Sequence, residues 1–320
     1  MNDARRPAGK LFSRRQILAL TAGLGAAAAF PVAPAFATAG PVRTRAIPRS
    51  GERLPVIGLG TALVFDIGDD AARRAERSRV IQTMLDGGGR LIDTAPSYGT
   101  AESVVGDLLA AMKVRERVFL ATKVRAAGRD AAVAEMHQSR TRLRTDKLDL
   151  MQLHNVGTSA ADAAAQIAVL REWKDRGICR YIGVTHFVES ANDRIIELMR
   201  SEKLDFVQVN YSMAERSVER RLLQVAADTG TAVLVNLPFG RGKLFNAVRG
   251  KAVPEWAAEF DAASWGQFFL KYILAQEAVT CVMPGTDKPE YMVDNLNAGR
   301  GRLPDAAMRK KMIEFWESLG

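Results

Sequence analysis

Gly89-Arg90-Leu91-Ile92-Asp93-Thr94-Ala95-Pro96-Ser97-Tyr98-Gly99 is a short apolar run that ends in a carboxylate and passes at once into a Pro/Gly-punctuated loop carrying a tyrosine. Arg90–Thr94 reads as a buried strand, and the same unit recurs along the chain. Further short apolar strands are read at Val118–Lys123, Leu148–His154, Tyr181–Thr185, Phe206–Asn210, Ala232–Val235 and Thr280–Pro284, with Ile57-Gly58-Leu59-Gly60 opening another ahead of them. Helical stretches lie between: Asp130–Arg144 follows Gly128, Ala160–Arg176 ends in Gly177, and Glu215–Thr229 ends in Gly230, where glycine suits a left-handed cap. Strands alternating with helices of this length demand right-handed parallel crossovers. About eight such units predict an α/β fold of the (β/α)8 TIM-barrel class. Arg43–Gly60 adds an N-terminal β-hairpin turning at Arg49-Ser50-Gly51-Glu52, and an extra helical segment is expected at the C-terminus.

In a closed parallel barrel the chemistry belongs at the C-terminal strand ends. Three consecutive strands end in Asp93 with Tyr98 just beyond, in Lys123, and in His154. A phenol ionises near 10, so it gives up its proton poorly at neutrality unless an ammonium stands beside it. Lys123 can be that ammonium, and Asp93 can keep it charged in a buried setting. His154 can hydrogen-bond the same substrate oxygen. Together they suit an oxyanion formed when hydride reaches a carbonyl carbon. His137, inside a charged helix, reads as surface.

The first forty residues have a targeting pattern instead of a core pattern. Ser13-Arg14-Arg15-Gln16-Ile17-Leu18 resembles a twin-arginine signal, an Ala/Gly-rich apolar run from Ile17 to Phe30 follows, and Ala35-Phe36-Ala37 reads as a small-x-small cleavage site. Residues 1–37 are therefore expected to be a leader for the twin-arginine export machinery, and 38–320 a single periplasmic or otherwise exported domain. The apolar run is shorter than the ~20 residues a bilayer span needs, so no stable membrane span is expected in the mature form. Of the formal net charge of +9, the leader carries +4. The remainder is interleaved with acids, and no basic stripe with aromatics suggests nucleic acid. Cys179 and Cys281, without CxxC spacing or His partners, offer no metal site, and Cys281 reads as a small buried apolar residue.

Gly58-Leu59-Gly60 continues as Thr61-Ala62-Leu63 and lacks the third glycine of a dinucleotide-binding Rossmann turn. The Rossmann fingerprint therefore fails. The residues quoted at the start, with Glu102 following, resemble the first signature of the aldo-keto reductases. Leu148-Asp149-Leu150-Met151-Gln152-Leu153-His154 resembles the second, and Val282-Met283-Pro284-Gly285-Thr286 through Asp294-Asn295-Leu296 the third. The resemblance runs from about Arg45 to Leu303.

It implies an oxidoreductase that reduces a small aldehyde or ketone with NADP(H), or with NAD(H), using Asp93, Tyr98, Lys123 and His154, Tyr98 being the general acid. It also implies that Thr185-His186 and Gln208 hold the nicotinamide amide, and that Asn236 stands where relatives present an aromatic face. The pyrophosphate is expected near Gly240, Arg241 and Lys243, and the adenosine end at Gly285, Thr286, Lys288, Asp294 and Asn295. Tyr291 occupies a position where many relatives carry an arginine for the 2′-phosphate, which leaves Lys288 for that role. The other expectation is a catalytically weak or inactive barrel of this family that binds a nucleotide or carbonyl ligand as an accessory protein.

Overall fold

The structure, a computed structural model, describes residues 40–156 and 160–319. The expected leader, with Arg14-Arg15 and the cleavage site, lies outside the described residues. The chain enters through the expected hairpin: β1 (Thr44–Ala46) and β2 (Arg53–Pro55) pair antiparallel, Thr44 opposite Pro55. Its turn is closed by the Ile47 N–H donating to the Glu52 carbonyl at 2.7 Å.

Eight parallel strands follow in chain order, each paired with the next: β3 (Leu59–Gly60), β4 (Leu91–Asp93), β5 (Phe119–Val124), β6 (Leu148–His154), β7 (Cys179–Thr185), β8 (Phe206–Asn210), β9 (Ala232–Asn236) and β10 (Val279–Val282). The last returns to the first through parallel bridges Ile57 to Val282 and Gly60 to Gly285. The Gly58 N–H reaches the Val282 carbonyl at 2.9 Å, and the Gly60 N–H that of Pro284 at 3.1 Å. The sheet thus closes on itself, which leaves no free edge to protect.

Helices α1 (Ala71–Asp86), α2 (Ala101–Met112), α3 (Arg129–Arg142), α4 (Ala160–Asp175), α5 (Asn192–Glu202) and α6 (Leu222–Thr229) cross between successive strands. A short α7 (Lys243–Ala247) and α8 (Trp265–Leu274) lie between β9 and β10, and α9 (Pro289–Ala298) and α10 (Ala306–Glu317) complete the chain. Local chemistry sets several starts. Asp70, Ser264 and Asp305 are N-caps whose side chains accept the N–H groups of Arg73, Gln267 and Met308. Gly177 and Gly230 adopt the left-handed conformation expected of helix ends, φ 71° and 65°.

Two expected helices differ in extent. The one read at Asp130–Arg144 runs Arg129–Arg142, because Arg144 itself turns left-handed at φ 51°. The one read at Glu215–Thr229 is broken into a 3-10 turn at Ser217–Arg220 and α6, with Arg221 off helical geometry at φ −148°, ψ −39°. The Ser212 carbonyl and hydroxyl both take the Glu215 N–H, and Glu219 is drawn to partners on other elements.

Two apolar layers result. Leu91, Phe119, Ala121, Leu150, Tyr181, Phe206, Ala232, Leu234 and Cys281 fill the barrel interior, and a larger layer joins the outer strand faces to the helices. Burying each large side chain is worth about 1.5–3 kcal/mol. The hairpin plugs the N-terminal end of the barrel: Ile47 and Leu54 join the interior, and the Tyr181 hydroxyl donates to Glu52 at 2.8 Å and lies 2.9 Å from the Ser50 hydroxyl. Cys179 and Cys281 are buried and unbridged, and burial pushes the Cys179 thiol up to about 12. No helix among the described residues is long and apolar enough to cross a membrane.

Candidate active site

The interior-facing rows change character toward the C-terminal strand ends. On β5 the row Phe119, Ala121, Lys123 passes from apolar to cationic, on β6 Leu150 gives way to Gln152 and His154, and on β8 Phe206 gives way to Gln208. Because strand side chains alternate, one polar substitution every second residue suffices to turn a hydrophobic plug into a polar mouth.

Lys123 is completely buried there. Its ammonium donates to Asp93 Oδ2 at 2.7 Å and to the Thr94 carbonyl at 2.8 Å, and lies 4.8 Å from the centroid of the Tyr98 ring. Burial pulls its pKa down, but the Asp93 carboxylate and Tyr98 outweigh burial, and the net shift is upward. It is held as an ammonium. The second Asp93 oxygen accepts from the amides of Gln152 at 3.2 Å and Gln208 at 2.9 Å. Gln208 in turn accepts from the Thr185 hydroxyl at 3.1 Å, so one network of hydrogen bonds joins five strands, β4 to β8.

His154 meets the Tyr98 ring edge-on with centroids 5.9 Å apart, and Ser97 Oγ lies 3.5 Å from its Nδ1. Burial, followed by the charges of Lys123 and Arg125, pushes the imidazole down to about 3. It is neutral at physiological pH. The four residues read from the strand ends are therefore brought together, with Asp93 and Lys123 ion-paired, Tyr98 against the ammonium and His154 against Tyr98.

Two residues at this mouth escaped the motif reading. Gln152 was legible as a polar residue in phase with Leu150 and His154 inside an apolar strand; its Oε1 is buried without a hydrogen-bond partner. Arg125, exposed just beyond the end of β5, is the other, and its charge reaches His154.

The expected cofactor residues fall into three groups. Around β7 to β9, His186 Nδ1 accepts the backbone N–H groups of Phe187 and Val188 at 3.0 and 3.1 Å, which leaves its Nε2–H as a donor. Asn236 ends β9 with a buried Oδ1 that has no hydrogen-bond partner. After β9 the chain coils tightly, with left-handed conformations at Leu237, Gly240, Arg241 and Gly242. Arg241 and Lys243 are exposed, Arg241 standing 5.5 Å from the Phe187 ring centroid. After β10, the Thr286 hydroxyl is held by the Asn295 amide at 2.9 Å, and Lys288 stands 5.6 Å from the Tyr291 ring centroid. Asp294 has both oxygens engaged by α8, from Ser264 and Gln267 at 2.7 Å each. Its direct bonds anchor that helix. No group of three metal-ligating side chains occurs among the described residues.

A closed parallel barrel with a buried Asp-Lys pair, a tyrosine and a neutral histidine at its C-terminal mouth defines a class of enzyme, and the comparisons agree. Residues 56–312 match the Aldo/keto reductase family. The chain is 30% identical over 234 residues to methylglyoxal reductase YeaE of Escherichia coli, spanning 72% of this chain and 80% of that protein. To the NADH-specific methylglyoxal reductase of Escherichia coli it is 27% identical over 317 residues, spanning 82% and 95%. Among solved structures, an aldo/keto reductase from Klebsiella pneumoniae in complex with NADP and acetate superposes with a TM-score of 0.70 at 24% identity, covering 83% of this chain and 93% of that one. The protein belongs to the aldo/keto reductase family and is an oxidoreductase.

Proposed function

We propose that the protein reduces an aldehyde or ketone at the barrel mouth, with Tyr98 as proton donor to the nascent alkoxide. The arrangement of Lys123 carries this reading: a buried ammonium locked to Asp93 and set against the Tyr98 ring favours the phenolate that remains once the proton has left. A neutral His154 with its hydrogen on Nε2 donates a hydrogen bond to the carbonyl oxygen without competing for the proton, and Ser97 can then donate to Nδ1.

The residues at the mouth fit a nicotinamide cofactor. The partnerless Oδ1 of Asn236 and the Nε2–H of His186 offer an acceptor and a donor to a carboxamide. Arg241 and Lys243 on the coiled segment, and Lys288 beyond β10, offer charge to phosphates. When bound, the cofactor supplies the hydride. Lys288 favours NADP(H), while the similarity to an NADH-specific enzyme keeps NAD(H) in view; the two methylglyoxal reductases support a small carbonyl substrate.

We place this activity outside the cytoplasm, in a protein exported folded through the twin-arginine route and already loaded with nucleotide. A second reading, a ligand-binding barrel with little turnover, is favoured by one observation: Asn236 in place of an aromatic face. Single-turnover hydride transfer to 4-nitrobenzaldehyde decides between them. Oxidation of bound NADPH or NADH with formation of 4-nitrobenzyl alcohol is the expected result; a nucleotide that binds and is never oxidised would sustain the second reading.

A further inference from the structure

β5 ends at Val124, and Arg125 is the first residue beyond it, exposed where Lys123 is completely buried. Extending the strand's alternation by one residue puts Arg125 on the Lys123 side, roughly 7 Å further toward solvent. The β5/β6 register pairs Lys123 with Gln152 and Val124 with Leu153, and continuing it sets Arg125 beside His154. The backbone at this point is fastened from two sides. Glu135 accepts the N–H groups of Arg125 and Ala126 at 2.6 and 2.9 Å, and Gln166 donates to the Ala126 carbonyl at 3.1 Å. One oxygen of Glu135, Oε2, takes both backbone N–H groups, and the exposed Arg125 guanidinium forms no ion pair with a carboxylate among the described residues. Its charge reaches His154, where it adds to the downward push on the imidazole.

We propose that Arg125 is a specificity-determining residue that binds an anionic group of the carbonyl substrate, so that the preferred substrates are aldehydes or ketones bearing a carboxylate. This rests on the reading of the mouth as a carbonyl-reducing site. A carbonyl oxygen held at His154 and Tyr98 leaves the rest of the substrate extending outward past Arg125, where a planar guanidinium can take a carboxylate through two parallel hydrogen bonds. Lys123 cannot serve, since Asp93 and the Thr94 carbonyl occupy it.

The test compares 4-carboxybenzaldehyde with 4-nitrobenzaldehyde, near-isosteres that differ in charge, using the full-length folded protein. The wild type is expected to prefer the carboxylate by roughly tenfold to a hundredfold in kcat/KM, expressed mainly in KM. Arg125→Leu is expected to collapse that ratio toward one, and Arg125→Lys to restore part of it. A ratio near one in the wild type, or one that Arg125→Leu leaves unmoved, overturns the proposal. Should neither aldehyde turn over, the reading of the reaction fails. The anion site is then read separately by calorimetric binding of 4-(hydroxymethyl)benzoate, whose retention in Arg125→Leu, or absence in the wild type, counts equally against it.

Discussion

Tyr98 and His154 meet edge-on beside one buried charge and have different roles. If Tyr98 delivers the proton, Tyr98→Phe removes an interaction made in the transition state alone. We expect kcat to fall by about 10²–10⁴-fold with cofactor affinity changed no more than a few-fold. Stopped-flow reduction alongside nucleotide fluorescence titration measures both, and retention of more than about a tenth of kcat would rule Tyr98 out as the donor. For His154 the sign follows from the direction of its shift. Burial and its cationic neighbours hold the folded imidazole at about 3, below the ordinary 6.5. Between those values the unfolded chain binds the extra proton, so the stability contribution is complete above about 6.5 and lost progressively toward about 3. His154→Gln should flatten the pH dependence of the urea midpoint in this window; parallel curves for variant and wild type would contradict the assignment.

At the scale of elements, the C-terminal helix is pinned by a cluster remote from the chemistry. Glu219 Oε1 accepts from the hydroxyls of Tyr211 and Tyr272 at 2.6 and 2.7 Å and from Arg309 of α10 at 2.8 Å, and Arg309 lies 4.4 Å from the Tyr272 ring centroid. Burial holds the Tyr211 hydroxyl well above its ordinary 10, so it remains a donor. Glu219→Leu strands these donors and should cost about 1–3 kcal/mol, with faster amide exchange in α10. An unchanged urea midpoint would show that the cluster does not hold the helix. The same carboxylate accounts for the break before α6. A helical pattern in Glu215–Thr229 is visible in sequence, but a side chain drawn to partners on α8 and α10 is a tertiary fact, and it decided where α6 begins.

For the whole molecule, the proposed export bears on the proposed chemistry. An enzyme that needs a nicotinamide nucleotide has no obvious supply outside the cytoplasm, which is why we expect it to leave folded and loaded. Replacing Arg14 and Arg15 together by Lys should retain the protein in the cytoplasm, as followed by cell fractionation. Protein recovered from the periplasm should release nucleotide on denaturation. Unchanged export of the Lys pair, or an empty periplasmic protein, would break the link.

The sequence by itself determined the strand–helix alternation, the count that closes a barrel, and Asp93, Tyr98, Lys123 and His154 at neighbouring strand ends, because periodicity and residue type are local properties. Their placement at one mouth follows from parallel topology alone. Only the tertiary structure decided which partners each group has. Gln152 and Gln208 share one oxygen of Asp93, and Asp294 turns both its oxygens to α8. The charge of Arg125, just beyond β5, reaches His154 at the end of β6 because the two strands pair in parallel. Hydrogen bonds between distant segments depend on distances of a few tenths of an ångström, and those exist only once the core has fixed the strands against one another.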